Sequence, residues 1–198
     1  TGMQVESGDV VVVKGKTVVP EEKKVYLAFN KPRGIVCTAE KREKNNVIDY
    51  LSYPVRIYPV GRLDKDSEGL LLMTNDGAIV NGIMRARNRH EKEYQVEVNK
   101  EITPEFLKEM ASGVPILDTV TRPCRIQKTG ERSFTIILTQ GLNRQIRRMC
   151  EALGYRVTKL KRVRIMNIHL KDLKTGEYRP LTEKELAELK KQIGEEKR

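Results

Sequence analysis

Apolar and polar residues change period several times along the chain, and each change predicts an element. Leu70-Leu71-Leu72-Met73-Thr74 is an unbroken apolar run of strand length, the pattern of a strand covered on both faces. Lys92-Glu93-Tyr94-Gln95-Val96-Glu97-Val98 alternates instead, with Tyr94, Val96 and Val98 on one side, as a strand with one buried face does. Shorter strand patterns occupy residues 25–29, 56–60, 120–126 and 133–139, and the first ends where Asn30-Lys31-Pro32-Arg33-Gly34 forces a turn. Helical spacing joins Ile79, Val80, Ile83 and Met84 behind the cap Asn75-Asp76-Gly77, and Phe106, Leu107 and Met110 behind Thr103-Pro104. It returns at Ile146, Met149, Cys150 and Leu153 behind Asn143, and at Leu186, Leu189 and Ile193 behind a Thr182/Glu185 capping box. Short helices and alternating strands without a regular strand–helix–strand repeat predict an α+β fold with a mixed, largely antiparallel sheet and flanking helices.

The valine-rich opening, Val5 to Lys16, reads as a strand between glycine turns and cannot bury a face alone. Pro20-Glu21-Glu22-Lys23-Lys24 is a charged linker, which divides the chain into a short opening, 1–22, and a main domain, 23–198. The polar run 38–46 is expected to be a mobile loop, and the tail from Gly194 is expected to fray.

Charge narrows the partner. Lys and Arg number 38 against 27 Asp and Glu, a formal charge of +11, and an excess of that size points to nucleic acid. No apolar run approaches the ~18 residues of a spanning helix. Cys37, Cys124 and Cys150 lie far apart and without CxxC spacing, as reduced thiols in a cytoplasmic protein do. With two histidines, His90 and His169, and no ligand spacing, neither a metal site nor a cofactor is expected.

The chemistry concentrates in Gly61-Arg62-Leu63-Asp64-Lys65-Asp66-Ser67-Glu68-Gly69, a polar turn held at both ends by strand patterns. Asp64 follows Leu63 directly out of the strand, so it is the better ordered of the two aspartates and the candidate catalytic acid. The same residues would also serve as a salt-bridged turn between Asp64 and Arg62. A second block, Gln140 to Met149, opens a helix with Arg144, Arg147 and Arg148 on its polar face. Between residues 141 and 168 stand eight basic residues and one acid, Glu151. Arg85, Arg87 and Arg89 crowd one short stretch, a density that favours anions nearby.

Gly61, Arg62, Leu63, Asp64, Ser67, Gly69, Leu70 and Leu71 resemble the signature of the pseudouridine synthases. Leu142-Asn143-Arg144-Gln145-Ile146-Arg147-Arg148-Met149 resembles the last signature of the RsuA/RluB/RluE/RluF family of ribosomal RNA pseudouridine synthases, and the wording around Tyr94 and Asn167 is most similar to its RluF branch. The resemblance implies two fused ferredoxin-like halves with Asp64 in a central cleft. It implies Asp64 as the catalytic aspartate, Arg147 paired with it, Tyr94 and Ile146 against the target base, and Arg62 supporting the loop or filling the space beside the flipped nucleotide. Arg144, Arg148, Arg87 and Arg89 would bind the RNA backbone. The opening is similar to the last hairpin of an S4 RNA-binding domain. The function so implied is isomerisation of a uridine in 23S ribosomal RNA by a cytoplasmic monomer that needs no cofactor or metal. The alternatives are a tRNA or small-subunit rRNA substrate, or a non-catalytic RNA-binding or ribosome-assembly module.

Overall fold

The computed structural model describes residues 11–13, 16–18 and 23–195. In chain order the elements are β1 (Val11–Val13), β2 (Lys16–Val18), β3 (Tyr26–Lys31), α1 (Val47–Leu51), β4 (Tyr58–Pro59), β5 (Glu68–Thr74), α2 (Gly77–Arg85), β6 (Lys92–Val98) and α3 (Pro104–Ser112). They continue as β7 (Pro115–Ile116), β8 (Thr119–Val120), β9 (Arg125–Gly130), β10 (Ser133–Leu138), α4 (Gln145–Ala152), β11 (Val157–Ile165), β12 (Ile168–His169), β13 (Tyr178–Pro180) and α5 (Glu183–Glu195).

One nine-stranded sheet in the order β13-β3-β5-β11-β6-β10-β9, with β12 on β11 and β4 on β5, carries the molecule. Every pairing in it is antiparallel except β5 with β11. The chain is therefore α+β with a mixed, largely antiparallel sheet, as its patterning predicts. β1 and β2 form a two-stranded sheet of their own, and β7 with β8 another. The rest of the opening, where a hairpin similar to that of an S4 domain is expected, lies outside the described residues.

The apolar run of β5 is explained by what covers it. Leu70 and Leu72 pack with Ile79 and Ile83 of α2 and Leu189 and Ile193 of α5, while Leu71 and Met73 pack with Leu27 and Phe29 of β3 and Val47 of α1. Each such side chain contributes roughly 1.5–3 kcal/mol on burial. β6 alternates because only one of its faces is covered: Val96 and Val98 pack with Phe106 and Met110 of α3 and Met149 and Cys150 of α4, and Gln95 and Glu97 are exposed. The close crossing of α2 and α5 depends on Gly82, since a Cβ there would lie 2.3 Å from Ile193 Cγ2.

Several boundaries differ from the sequence reading. The strand expected at 120–126 begins at Arg125, because residues 115–120 fold into the β7–β8 hairpin through Leu117 and Asp118, both at positive φ. α5 continues through Gly194 to Glu195, with its capping box formed as expected: Thr182 N donates to Glu185 Oε1 at 2.9 Å and Glu185 N to Thr182 Oγ1 at 3.1 Å. Among the described residues no helix is long and apolar enough to cross a membrane.

Candidate active site

The segment 60–67 enters β5 near the middle of the sheet, and one local and two longer-range hydrogen bonds fix it. Val60 N donates to Leu72 O at 2.8 Å, Ser67 N to Asp64 O at 3.0 Å and Gly34 N to Lys65 O at 2.7 Å. Behind it, the Cys37 thiol donates to Leu63 O at 3.2 Å. Lys31, fully buried at the end of β3, donates through Nζ to Pro32 O and Ile35 O at 2.8 Å and to Lys65 O at 3.4 Å. Burial pushes the Lys31 pKa down, and the nearby Cys37, Asp66, Asp64 and Glu68 oppose that shift. Leu63 and Ser67 are buried on either side of Asp64, whose carboxylate is left 36% exposed and facing a cleft.

The opposite wall is the start of α4. Asn143 does not cap this helix; Arg144 occupies the cap position at φ 49, with no side-chain cap bond. Asn143 instead accepts from Arg148 through both its backbone and side-chain oxygens, at 3.0 and 2.8 Å. The left-handed turn at residue 144 brings its guanidinium across to the loop, where Nη1 and Nη2 donate to Asp66 Oδ1 and Oδ2 at 3.0 and 2.8 Å. Nη1 of the same guanidinium lies 3.5 Å from Asp64 Oδ2. The hydrogen bonds from Arg144, with Arg147 adding to them, hold the Asp66 carboxyl down at about 2 against the cost of its partial burial.

Arg147 differs from its expected place. Its side chain is buried and donates to Asp66 O at 3.0 Å and Ser67 Oγ at 3.1 Å, with Nη1 3.5 Å from Asp66 Oδ2. Among the described residues the ion pair to Asp64 comes from Arg144, while Arg147 braces the loop from behind. Contacts 80 and 81 residues apart in sequence produce this arrangement, and helical periodicity carries no trace of them.

The cleft has a volume of about 520 Å³ and lies between α2 and α4 over β6, β10 and β11, within the size range of small-ligand sites. Arg62, Asp64, Tyr94, Ile146, Arg144 and Arg87 line it. Arg147, Arg148 and Arg89 are not among its lining residues. Lys92 and Arg162, which lie outside the motifs that carry the sequence reading, line it as well. The alternation of β6 could have found Lys92, since it shares a face with Tyr94.

The RNA pseudouridylate synthase family model matches residues 25–152. The chain belongs to the RNA pseudouridylate synthase family. This synthase is 54% identical over 194 residues to the dual-specificity RNA pseudouridine synthase RluF of Salmonella typhi, across 97% of the chain and 67% of that relative. It is 36% identical to the ribosomal large subunit pseudouridine synthase B of Bacillus subtilis, across 96% of the chain and 80% of that protein. A crystal structure of a pseudouridylate synthase superposes with a TM-score of 0.78 at 28% identity, covering 94% of the chain and 83% of its counterpart. The synthase falls on the RluF branch of the RsuA family, and pseudouridine synthases are isomerases.

Proposed function

We propose that this synthase converts a uridine of 23S ribosomal RNA to pseudouridine, with Asp64 as its catalytic carboxylate. One observation carries the reading: among the described residues lining the cleft, Asp64 is the single acid in a wall that also presents Arg62, Arg87, Lys92, Arg144 and Arg162. A protein that only bound RNA would have no use for a carboxylate there. The ribosomal substrate is supported by the Bacillus subtilis relative, whose name specifies the large subunit.

The reaction detaches uracil from ribose C1', turns it, and rejoins it through C5. The target nucleotide leaves its stack to enter the cleft, where Tyr94 supplies a ring for stacking, worth about 1–3 kcal/mol, and Ile146 the facing apolar wall. Asp64 acts at the sugar, either by adding to C1' or by taking the C2' proton. Arg144 is the cation beside that carboxylate, with Nη1 3.5 Å from Asp64 Oδ2, the place that the resemblance gave to Arg147. Arg62 supports the loop, and the remaining rim arginines hold the backbone without reading sequence. The opening, 1–22, similar in sequence to an S4 hairpin, adds RNA affinity.

Replacement of Asp64 by Asn should abolish isomerisation while leaving RNA affinity within about threefold, since an amide of the same size takes the place of the carboxylate and the arginines that bind the backbone are untouched. Turnover by Asp64→Asn would sink the assignment. Mapping pseudouridine in 23S, 16S and transfer RNA, with and without the gene, identifies the substrate.

A further inference from the structure

Along the cleft wall stands a group of cations with no carboxylate partner among the described residues. Lys92 and Tyr94 sit two apart on one face of β6, about 7 Å along the strand. Arg162 of β11 is the cross-strand partner of Tyr94, and Arg87 follows α2. All four line the cleft. Lys92 Nζ gives one proton to Arg87 O at 2.8 Å, and it lies 3.6 Å from where a Gly141 Cβ would stand. Arg162, only 6% exposed, uses Nε on Leu70 O at 2.9 Å and Nη1 on Arg62 O at 3.5 Å. Among the described residues no carboxylate pairs with Lys92, Arg87 or Arg162. Burial and repulsion by Arg162 and Arg87 push the Lys92 pKa down to about 8, the mark of a cation kept against its own preference.

We infer that Lys92, backed by Arg162, is a catalytic donor that holds the carbonyl oxygens of uracil and stabilises the ring as an anion while it is detached from ribose. The inference rests on the isomerase reading above. When the C1'–N1 bond breaks, its electron pair leaves with the ring and spreads over N1, O2 and O4. When C5 bonds to C1' the ring supplies the pair for the new bond, the C5 proton departs and N1 takes up a proton, so nothing is oxidised and no other reactant is needed. Between those steps the ring carries a full negative charge next to Tyr94, and fixed cations in a partly desolvated cleft stabilise developing charge more than water does. Ammonium and guanidinium groups only donate. They suit O4 of uracil and offer nothing to the 4-amino group of cytosine, so the same residues reject cytidine.

The test uses the whole chain. On an RNA hairpin containing the target uridine, Lys92→Met should lose about 100-fold in kcat with KM within about threefold, the size seen when one donor to a developing anion is removed. Lys92→Arg should stay within about tenfold of wild type, and melting curves of both variants establish that they are folded. Barbiturate, a planar pyrimidine already anionic at neutral pH, serves as a binding probe. Calorimetry should show it binding wild type about tenfold more tightly than uracil, with the preference gone in Lys92→Met. Lys92→Met turning over at the wild-type rate, or a chain that isomerises RNA yet binds the two pyrimidines equally, overturns the subsite alone. A chain that isomerises no RNA yet prefers barbiturate through Lys92 sinks the proposed reaction and keeps the subsite.

Discussion

Arg144 and Asp66 meet in a two-pronged ion pair, at 3.0 and 2.8 Å, that fastens the start of α4 to the loop bearing Asp64. The pair decides where the Arg144 guanidinium can be: held by Asp66, it presents one nitrogen 3.5 Å from Asp64. Because both partners are more than a third exposed, the pair contributes about 1 kcal/mol at most to stability. Its larger effect is geometric.

Asp66→Asn keeps the size of the side chain and removes the charge that orients Arg144. Stability should fall by about 1 kcal/mol or less, while single-turnover isomerisation slows by about tenfold or more, since misplaced catalytic groups lose rate steeply. Melting and rate measured on the same preparation separate the two. A rate unchanged alongside the lost stability would make the pair a structural tie and nothing else.

Acid should unfold the protein through two carboxylates. Asp66 is held at about 2 by Arg144, and Glu185 is held at about 2 by hydrogen bonds from Arg179 and the Thr182 amide. Both fall below their unfolded values of about 4, so their stabilisation is fully present above pH ~4 and is lost as the pH drops toward 2. Glu185, with its side chain only 10% exposed, should contribute on the order of 2 kcal/mol, and Asp66 about half that after solvent screening. Urea titrations between pH 5 and 2 should show a shallower decline in Glu185→Gln than in wild type, and parallel declines would refute the assignment.

Elements whose pattern depends on nearby packing were legible. The run 70–74 announced a strand covered on both faces, and the alternation 92–98 announced one with a single covered face. What was not legible came from contacts distant in sequence. Asn143 is a common helix cap, yet the chain places Arg144 there in a left-handed turn so that it can reach Asp66. Periodicity puts Arg147 on the polar face of its helix, and its burial depends on Ser67 and the Asp66 carbonyl, 80 and 81 residues away. The five-residue α1 has too few positions for a period to register. It is held by Asn46, which accepts from Asp49 N at 2.8 Å, and by buried Val47.

Gly69 opens β5 beside β11 at φ +109, and a Cβ there would lie 2.2 Å from Arg162 O. The obstacle is backbone of the one parallel pairing in the main sheet, so it cannot swing aside as a side chain would. Gly69→Ala should therefore cost ~3 kcal/mol or more, combining strain with the separation of β5 from β11. Denaturant unfolding checks this. A melting temperature within a degree or two of wild type would mean that the strands part there without penalty.

The Lys92 subsite predicts opposite responses of stability and activity to alkali. Burial first, then Arg162 of β11 and Arg87 after α2, push Lys92 down to about 8; Arg62, Asp64, His90 and Arg144 line the same cleft. An unfolded lysine keeps its proton to about 10.4. Between pH ~8 and 10.4 the unfolded chain therefore binds more protons, and this residue's contribution to stability rises with pH. Activity should move the other way, because a neutral amine no longer stabilises the detached ring. The free enzyme's titration appears in kcat/KM, which should fall as the pH rises through about 8, while bound RNA phosphates keep Lys92 charged longer and move the fall in kcat to higher pH. Lys92→Arg, charged throughout, should abolish both alkaline limbs, and a limb at about 8 that survives in Lys92→Arg would assign the titration to another group.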